Sequence, residues 1–97
     1  MKIKFGNLAD IMVGIKEIEV EGKSLTEIFD NLSKIVGKRV SLKIDTKEEN
    51  VYLVVEENGK TRKNWVVALY NGINVLDIDP NAVQNGELVV FVPVSGG

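Results

Sequence analysis

Apolar and polar positions alternate with a period of two at the start of this chain. Residues 2–5 read Lys-Ile-Lys-Phe, and residues 16–21 place Ile18 and Val20 on one face with glutamates on the other. This alternation is typical of half-buried β-strands. Between the two predicted strands, residues 7–14 indicate a loop or a helical turn that closes at Gly14.

A helical period follows the second predicted strand. The run Ser24-Leu25-Thr26-Glu27 has the form of a capping box, in which the Ser24 side chain accepts from the Glu27 amide. Gly37 supplies the left-handed residue that ends a helix. The predicted apolar stripe of this helix consists of Leu25, Ile28, Phe29, Leu32, Ile35 and Val36. An amphipathic helix of this length is marginal alone in water, so we expect the stripe to pack on a sheet.

The second half of the chain predicts further strands separated by turns. Asn58-Gly59 and Asn71-Gly72 are typical of tight hairpin turns. The run from Leu88 to Val94 is apolar except for Pro93, which indicates a buried strand that Pro93 ends or confines to an edge. The predicted strands are residues 40–44, 51–55, 65–70, 73–76 and 88–94, with polar loops at 45–50 and 77–87.

Strands interrupted by one long helix predict an α+β domain in which the helix covers one face of the sheet. The length of 97 residues corresponds to one domain, residues 1–97. Residues 94–97 form a predicted flexible tail, because Ser95, Gly96 and Gly97 have nothing to bury.

Composition narrows the classes of function. A net charge of −2 does not favour the basic face that nucleic-acid binding requires. No apolar run approaches the length of about 18 residues that indicates a membrane span, and residues 1–5 lack the apolar core of a signal peptide. We therefore expect a cytoplasmic protein that binds neither nucleic acid nor membrane.

The chain contains no histidine and no cysteine, which removes the commonest catalytic bases and nucleophiles. The acidic pairs Glu48-Glu49 and Glu56-Glu57 have no histidine beside them, and neighbours on a strand point to opposite faces, so no metal site is predicted. We expect a protein that is not an enzyme by itself. Its predicted reactive group is the α-carboxylate of Gly97, with Ser95 and Gly96 forming a tail thin enough to enter the active site of another enzyme.

The last residues carry a family resemblance. Phe91-Val92-Pro93-Val94-Ser95-Gly96-Gly97, preceded by Gly86-Glu87, resembles the C-terminal signature of MoaD, the small subunit of molybdopterin synthase, and more broadly the MoaD/ThiS ubiquitin-like sulfur carriers. Val94 departs from the pattern, since many relatives have a second proline there. The segment 38–64 is also longer than in many small carriers of this family, which indicates an insertion.

The resemblance implies a fold and a reaction. The fold is the β-grasp, or ubiquitin-like, topology, in which the last strand is central and parallel to the first. A MoeB/ThiF-like enzyme adenylates the terminal glycine with ATP, and a sulfur donor converts it to a thiocarboxylate for molybdopterin (molybdenum or tungsten cofactor) biosynthesis. The carrier itself binds no cofactor. A MoaE-like large subunit is the second partner, and Phe91, Pro93 and Val94 are the predicted contacts, with ordinary core packing as the alternative for these three.

Three other functions remain open from the sequence. The same Gly-Gly chemistry serves ubiquitin-like modifiers that are conjugated to lysines. ThiS-type carriers for thiamin also end in Gly-Gly, although their chains are usually shorter and the Phe-x-Pro feature points away from them. A non-reactive interaction module with a chance tail is the third alternative, and an added C-terminal residue would leave it unaffected.

Overall fold

The structure, a computed structural model, describes residues 1–94 as a mixed seven-stranded sheet with helices. The strands are β1 (Lys2–Phe5), β2 (Glu17–Glu19), β3 (Arg39–Asp45), β4 (Asn50–Glu57), β5 (Lys60–Tyr70), β6 (Ile73–Asn74) and β7 (Glu87–Phe91). The helices are α1 (Ala9–Val13), α2 (Leu25–Val36) and a 3₁₀ turn at Val75–Asp77.

The last strand lies in the middle of the sheet. The strand order is β2-β1-β7-β5-β4-β3, and β6 pairs with β5 beside this path. β7 runs parallel to β1 and antiparallel to β5. This confirms both the predicted α+β class and the β-grasp topology that the resemblance implies.

β5 joins two parts of the sheet, because residues 60–66 pair with β4 whereas residues 67–70 pair with β7. The sequence predicted this strand only from residue 65. Residues 60–64 are exposed and polar, so they lack the apolar alternation that identifies a strand. They are held instead by the β4–β5 hairpin, whose turn residues Asn58 and Gly59 have φ of 53° and 77°, as a type I′ turn requires.

The core lies between the sheet and the two helices. β1 and β7 contribute Ile3, Leu88 and Val90, all fully buried. α2 contributes Ile28 and Leu32 to the same cluster. The buried residues of α1 belong to this cluster as well, so both helices cover the same side of the sheet. The alternate residues of each strand lie on the opposite side.

The predicted boundaries of α2 are confirmed, but one residue of its stripe is wrong. Ser24 Oγ accepts the Glu27 N–H over 3.1 Å, and Gly37 ends the helix with φ of 74°. Ile35 is 59% exposed, whereas Val36 packs against the core. Successive residues of a helix are about 100° apart, so Val36 lies near the middle of the stripe, one turn after Leu32, whereas Ile35 lies at its edge, where the extent of the sheet determines whether it is covered.

Three predicted strands are shorter than expected. The strand predicted at residues 16–21 is observed only at Glu17–Glu19. The last strand, which Pro93 was expected to end or to confine to an edge, runs only to Phe91. The strand predicted over 73–76 ends after Asn74, whose side-chain Oδ1 accepts the Leu76 N–H over 3.0 Å and begins a 3₁₀ turn. The turn predicted at residues 7–14 is α1, and Gly14 closes it with φ of 92°. In the part of the chain that is described, no helix is long and apolar enough to cross a membrane.

Candidate functional site

The point where the chain leaves β7 is fixed by Asn7. The Asn7 side-chain amide donates to the Val92 carbonyl over 2.7 Å, and the Asn7 backbone carbonyl accepts the Val92 N–H over 3.0 Å. One step earlier, the Gly6 N–H donates to the Val90 carbonyl over 2.8 Å. The pairing between the first and last segments therefore continues beyond β7 and holds the root of the tail against the sheet.

The predicted contact residues lie around this root. Phe91 is the last residue of β7 and is half-buried, as is Pro93, while Val94 is 78% exposed. None of the three is buried in the core, whereas Val92 between them packs against it. Ser95, Gly96 and Gly97, the predicted reactive end, lie outside the described residues.

The start of β7 is fixed by a second asparagine. Asn71 Oδ1 accepts the Glu87 N–H over 2.9 Å, and the Asn71 N–H donates to the Glu87 carbonyl over 2.8 Å. Gly86 has φ of 111°, and a Cβ there would clash with the side-chain amide of Asn71. Gly86 and Glu87 thus have a structural role, since they begin the strand that leads to the tail.

The face of the sheet opposite the helices carries an apolar surface that we call the outer face. Register places Trp65 beside Tyr52, Val67 beside Phe91, and Leu69 beside Val89. Trp65 is 54% exposed and the other members are half-buried. The outer face consists of Tyr52, Trp65, Val67, Leu69, Val89 and Phe91.

Charged side chains border the outer face on two sides. Near β1, the Lys4 and Glu87 side chains pair over 3.4 Å, and the Lys2 and Glu17 side chains over 3.7 Å. Near β4, Lys63 Nζ lies 4.4 Å from the centre of the Tyr52 ring, a cation–π geometry. An apolar surface with a polar border is the usual composition of a protein interface.

Sequence reasoning identified only Phe91 from the outer face. Its remaining members come from β4, β5 and β7, and only strand pairing brings them together. The available signal was the run Trp65–Tyr70, which is apolar at consecutive positions and therefore has apolar side chains on both faces of its strand. Within residues 1–94, no three His, Cys, Asp or Glu side chains come close enough together to form a metal-binding group.

Comparison with known proteins supports the fold. No protein-family model matches the sequence, and no curated protein is significantly similar to it. Among solved structures, the small archaeal modifier protein 1 from Methanosarcina acetivorans is similar, with a TM-score of 0.56 and 16% sequence identity. The similarity covers 99% of this chain and 94% of that protein, so the β-grasp topology is shared over nearly the whole length.

Proposed function

We propose that this protein is a sulfur carrier that acts through the α-carboxylate of Gly97 in molybdopterin biosynthesis. The proposal takes Gly97 as the residue that bears the free carboxylate of the mature chain. The observation that carries it is the junction between β7 and the tail. A central strand, fixed at Val92, leads into an exposed Val94 and then into the sequence Ser95-Gly96-Gly97.

The proposed reaction begins on a partner enzyme. A carboxylate is a poor electrophile because its charge is delocalised over both oxygens. A Gly97 oxygen attacks the α-phosphorus of ATP and pyrophosphate leaves, which gives an acyl-adenylate. A sulfur nucleophile such as hydrosulfide then attacks the carbonyl carbon, and AMP leaves with the bonding electrons to give the thiocarboxylate. The carrier itself supplies only the carboxylate and its presentation.

Two features of the described residues suit this role. The hydrogen bonds from Asn7 hold Val92 in one position, which fixes the point from which the tail starts. Along β7 the outer face ends at Phe91, so an enzyme that binds this face also meets the root of the tail. We assign binding of the MoeB/ThiF-like enzyme, and of a MoaE-like subunit in turn, to the outer face and to Phe91, Pro93 and Val94. Because the reaction uses ATP, we assign the protein to the cytoplasm.

Adenylation is also the first step of lysine conjugation by ubiquitin-like modifiers and of sulfur transfer by ThiS-type carriers. The Phe91-x-Pro93 feature favours the MoaD type over the ThiS type. An assay that stops at adenylation therefore tests the use of the C-terminus, whereas the product formed from the adenylate distinguishes sulfur transfer from conjugation.

Pyrophosphate exchange into ATP by a MoeB-type enzyme, dependent on this protein, tests the first step. A variant with one alanine added after Gly97 should give no exchange, and a variant with one alanine added before Met1 should remain active. Leu69→Arg, on the outer face, should weaken exchange mainly through a higher KM for the carrier. Equal exchange with the C-terminal extension would refute a reaction at Gly97.

A further inference from the structure

β3 forms one edge of the sheet, and part of its backbone has no partner there. The Val40 N–H donates to Ser33 Oγ over 2.9 Å, and the Val40 carbonyl oxygen lies 3.0 Å from the same hydroxyl. Both backbone groups of Val40 therefore point away from β4 and towards α2. Successive residues of a strand point their backbone groups to alternate sides, so those of Leu42 and Ile44 also point away from β4.

The β4–β5 hairpin leads independently to the same assignment. A two-residue turn is closed by a hydrogen-bonded pair, here Glu57 and Lys60. Because backbone groups alternate sides along β4, the N–H and C=O groups of Leu53 and Val55 bond to β5, whereas those of Tyr52 and Val54 bond to β3. Tyr52 and Val54 are opposite Lys43 and Ser41. Within residues 1–94, the N–H and C=O groups of Leu42 and Ile44 thus have no strand partner.

An apolar groove of about 250 Å³ lies along this edge, between β3 and the first turns of α2. Its apolar lining is Leu25, Phe29, Leu42, Ile44 and Pro80. The Leu25 N–H donates to the Pro80 carbonyl over 2.9 Å, which closes one end. The rim carries the ion pair between Arg39 and Asp30, over 3.2 Å. The groove and the unpaired backbone groups are adjacent, so a single extended segment can use both.

A second copy of β3 does not suit this edge. If Leu42 of one copy pairs with Ile44 of the other, all the free backbone groups are used, but the two Lys43 side chains lie directly opposite each other. Like charges at that position are destabilising. If instead Leu42 pairs with Leu42, the next pair requires the backbone groups of Val40, which Ser33 already occupies.

We propose that the β3 edge and its groove bind an extended peptide of a partner protein, with an acidic residue opposite Lys43 and an apolar residue on each side of it. The apolar residues pair with Leu42 and Ile44 and point into the groove, while their backbone groups complete the ladder. Lys43 is exposed and has no ion pair within the described residues, so it attracts the acidic side chain.

This binding site lies away from the root of the tail. β5 and β4 lie between β7 and β3, and strands are about 4.8 Å apart, so β3 is on the order of 14 Å from β7, the strand that leads to the tail. The apolar groove lies on the helix side of the sheet, whereas Lys43 is opposite Tyr52 and therefore lies at the border of the outer face. A partner held at β3 therefore leaves the tail accessible.

The test uses a synthetic peptide, acetyl-Lys-Val-Glu-Val-Thr-amide, added to the full-length protein and followed by backbone amide shifts and exchange rates. We expect the amides of Leu42 and Ile44 to shift and to exchange more slowly. Replacing the peptide glutamate by lysine should weaken binding about two- to fivefold, and Lys43→Glu should reverse that preference. N-methylation of both peptide valines should abolish binding, because it removes the donors of the ladder.

Several results would overturn the proposal. One is no change at Leu42 and Ile44 at millimolar peptide. Another is binding of the N-methylated peptide with unchanged affinity. A third is a set of amide shifts confined to the outer face. Protection of Leu42 and Ile44 that rises with protein concentration in the absence of peptide would instead identify a second copy as the occupant. The Lys43 side chain is exposed, so the Lys43→Glu variant should melt at the same temperature as the original chain. This comparison is the folding control.

Discussion

Asn7 binds both backbone groups of Val92. The Asn7 side-chain amide donates to the Val92 carbonyl over 2.7 Å, and the Asn7 backbone carbonyl accepts the Val92 N–H over 3.0 Å. The two residues are far apart in sequence, yet they extend the parallel pairing of β1 with β7. The result is a fixed starting point for the tail. This contact connects the fold to the proposed function, because the tail must reach a partner's active site from a defined position.

Asn7→Ala should slow adenylation with little loss of stability. The variant loses one exposed hydrogen bond, worth about 1 kcal/mol or less, so its melting temperature should change little. The tail root should become less ordered, which raises the cost of binding the partner enzyme. Asn31→Ala is the matched control, since the Asn31 amide makes a similar exposed bond to the Glu21 carbonyl over 2.8 Å. Equal pyrophosphate exchange by both variants would remove this role from Asn7.

Pro93 should prevent the tail from pairing with β5. Phe91 is opposite Val67, so a continued ladder would place Pro93 opposite Trp65. The Val92 N–H points to Asn7, on the β1 side of the strand. Because backbone groups alternate sides, the nitrogen of residue 93 faces β5, and proline has no N–H to donate there. In Pro93→Val, we expect slow exchange of the amide at position 93 and slower adenylation. Fast exchange at that position would show that β7 ends for another reason.

Gly22 should be intolerant of any side chain. A Cβ there would lie 2.9 Å from the Ile28 backbone nitrogen and 2.7 Å from Ile28 Cγ1, so α2 would have to shift. Gly22→Ala should lower the free energy of unfolding by about 1–3 kcal/mol. The neighbouring exposed Lys23→Ala should change it by less than about 0.5 kcal/mol. Urea denaturation of both variants measures the difference, and an equal effect would contradict the close approach.

Two residues predicted on the same stripe of α2 should behave differently. Leu32 is fully buried, so Leu32→Ala should cost about 2–5 kcal/mol of unfolding free energy. Ile35 is 59% exposed, so Ile35→Glu should change stability by less than about 0.5 kcal/mol. Thermal and urea denaturation give both values. A large loss in Ile35→Glu would mean that the periodic pattern, rather than the observed exposure, describes the packing of this residue.

The local elements of the fold could be predicted because they depend on local chemistry. The Ser24 cap, the Gly37 stop and the Asn58-Gly59 turn each follow from the backbone preference of one or two residues. The central parallel position of β7 came from the family resemblance, since an apolar strand pattern does not specify its neighbours. Periodicity failed at Ile35 because exposure there depends on where the sheet ends.

Of the candidate site, only the tail could be predicted from the sequence. The tail residues stand out because Gly-Gly follows an apolar strand. The outer face depends on pairing between residues distant in sequence, such as Tyr52 with Trp65 and Val67 with Phe91. The unpaired groups of Leu42 and Ile44 likewise depend on which strand lies at the edge. Single strands do not carry that information.

The intact mass of the protein after incubation with a MoeB-type enzyme, ATP and sulfide shows whether Gly97 becomes a thiocarboxylate. We predict that one terminal oxygen is replaced by sulfur, and that Gly97→Val, at nearly the same melting temperature, shows no replacement. An unchanged mass with an enzyme proven active on another carrier, or equal conversion of Gly97→Val, would contradict a carrier function at Gly97.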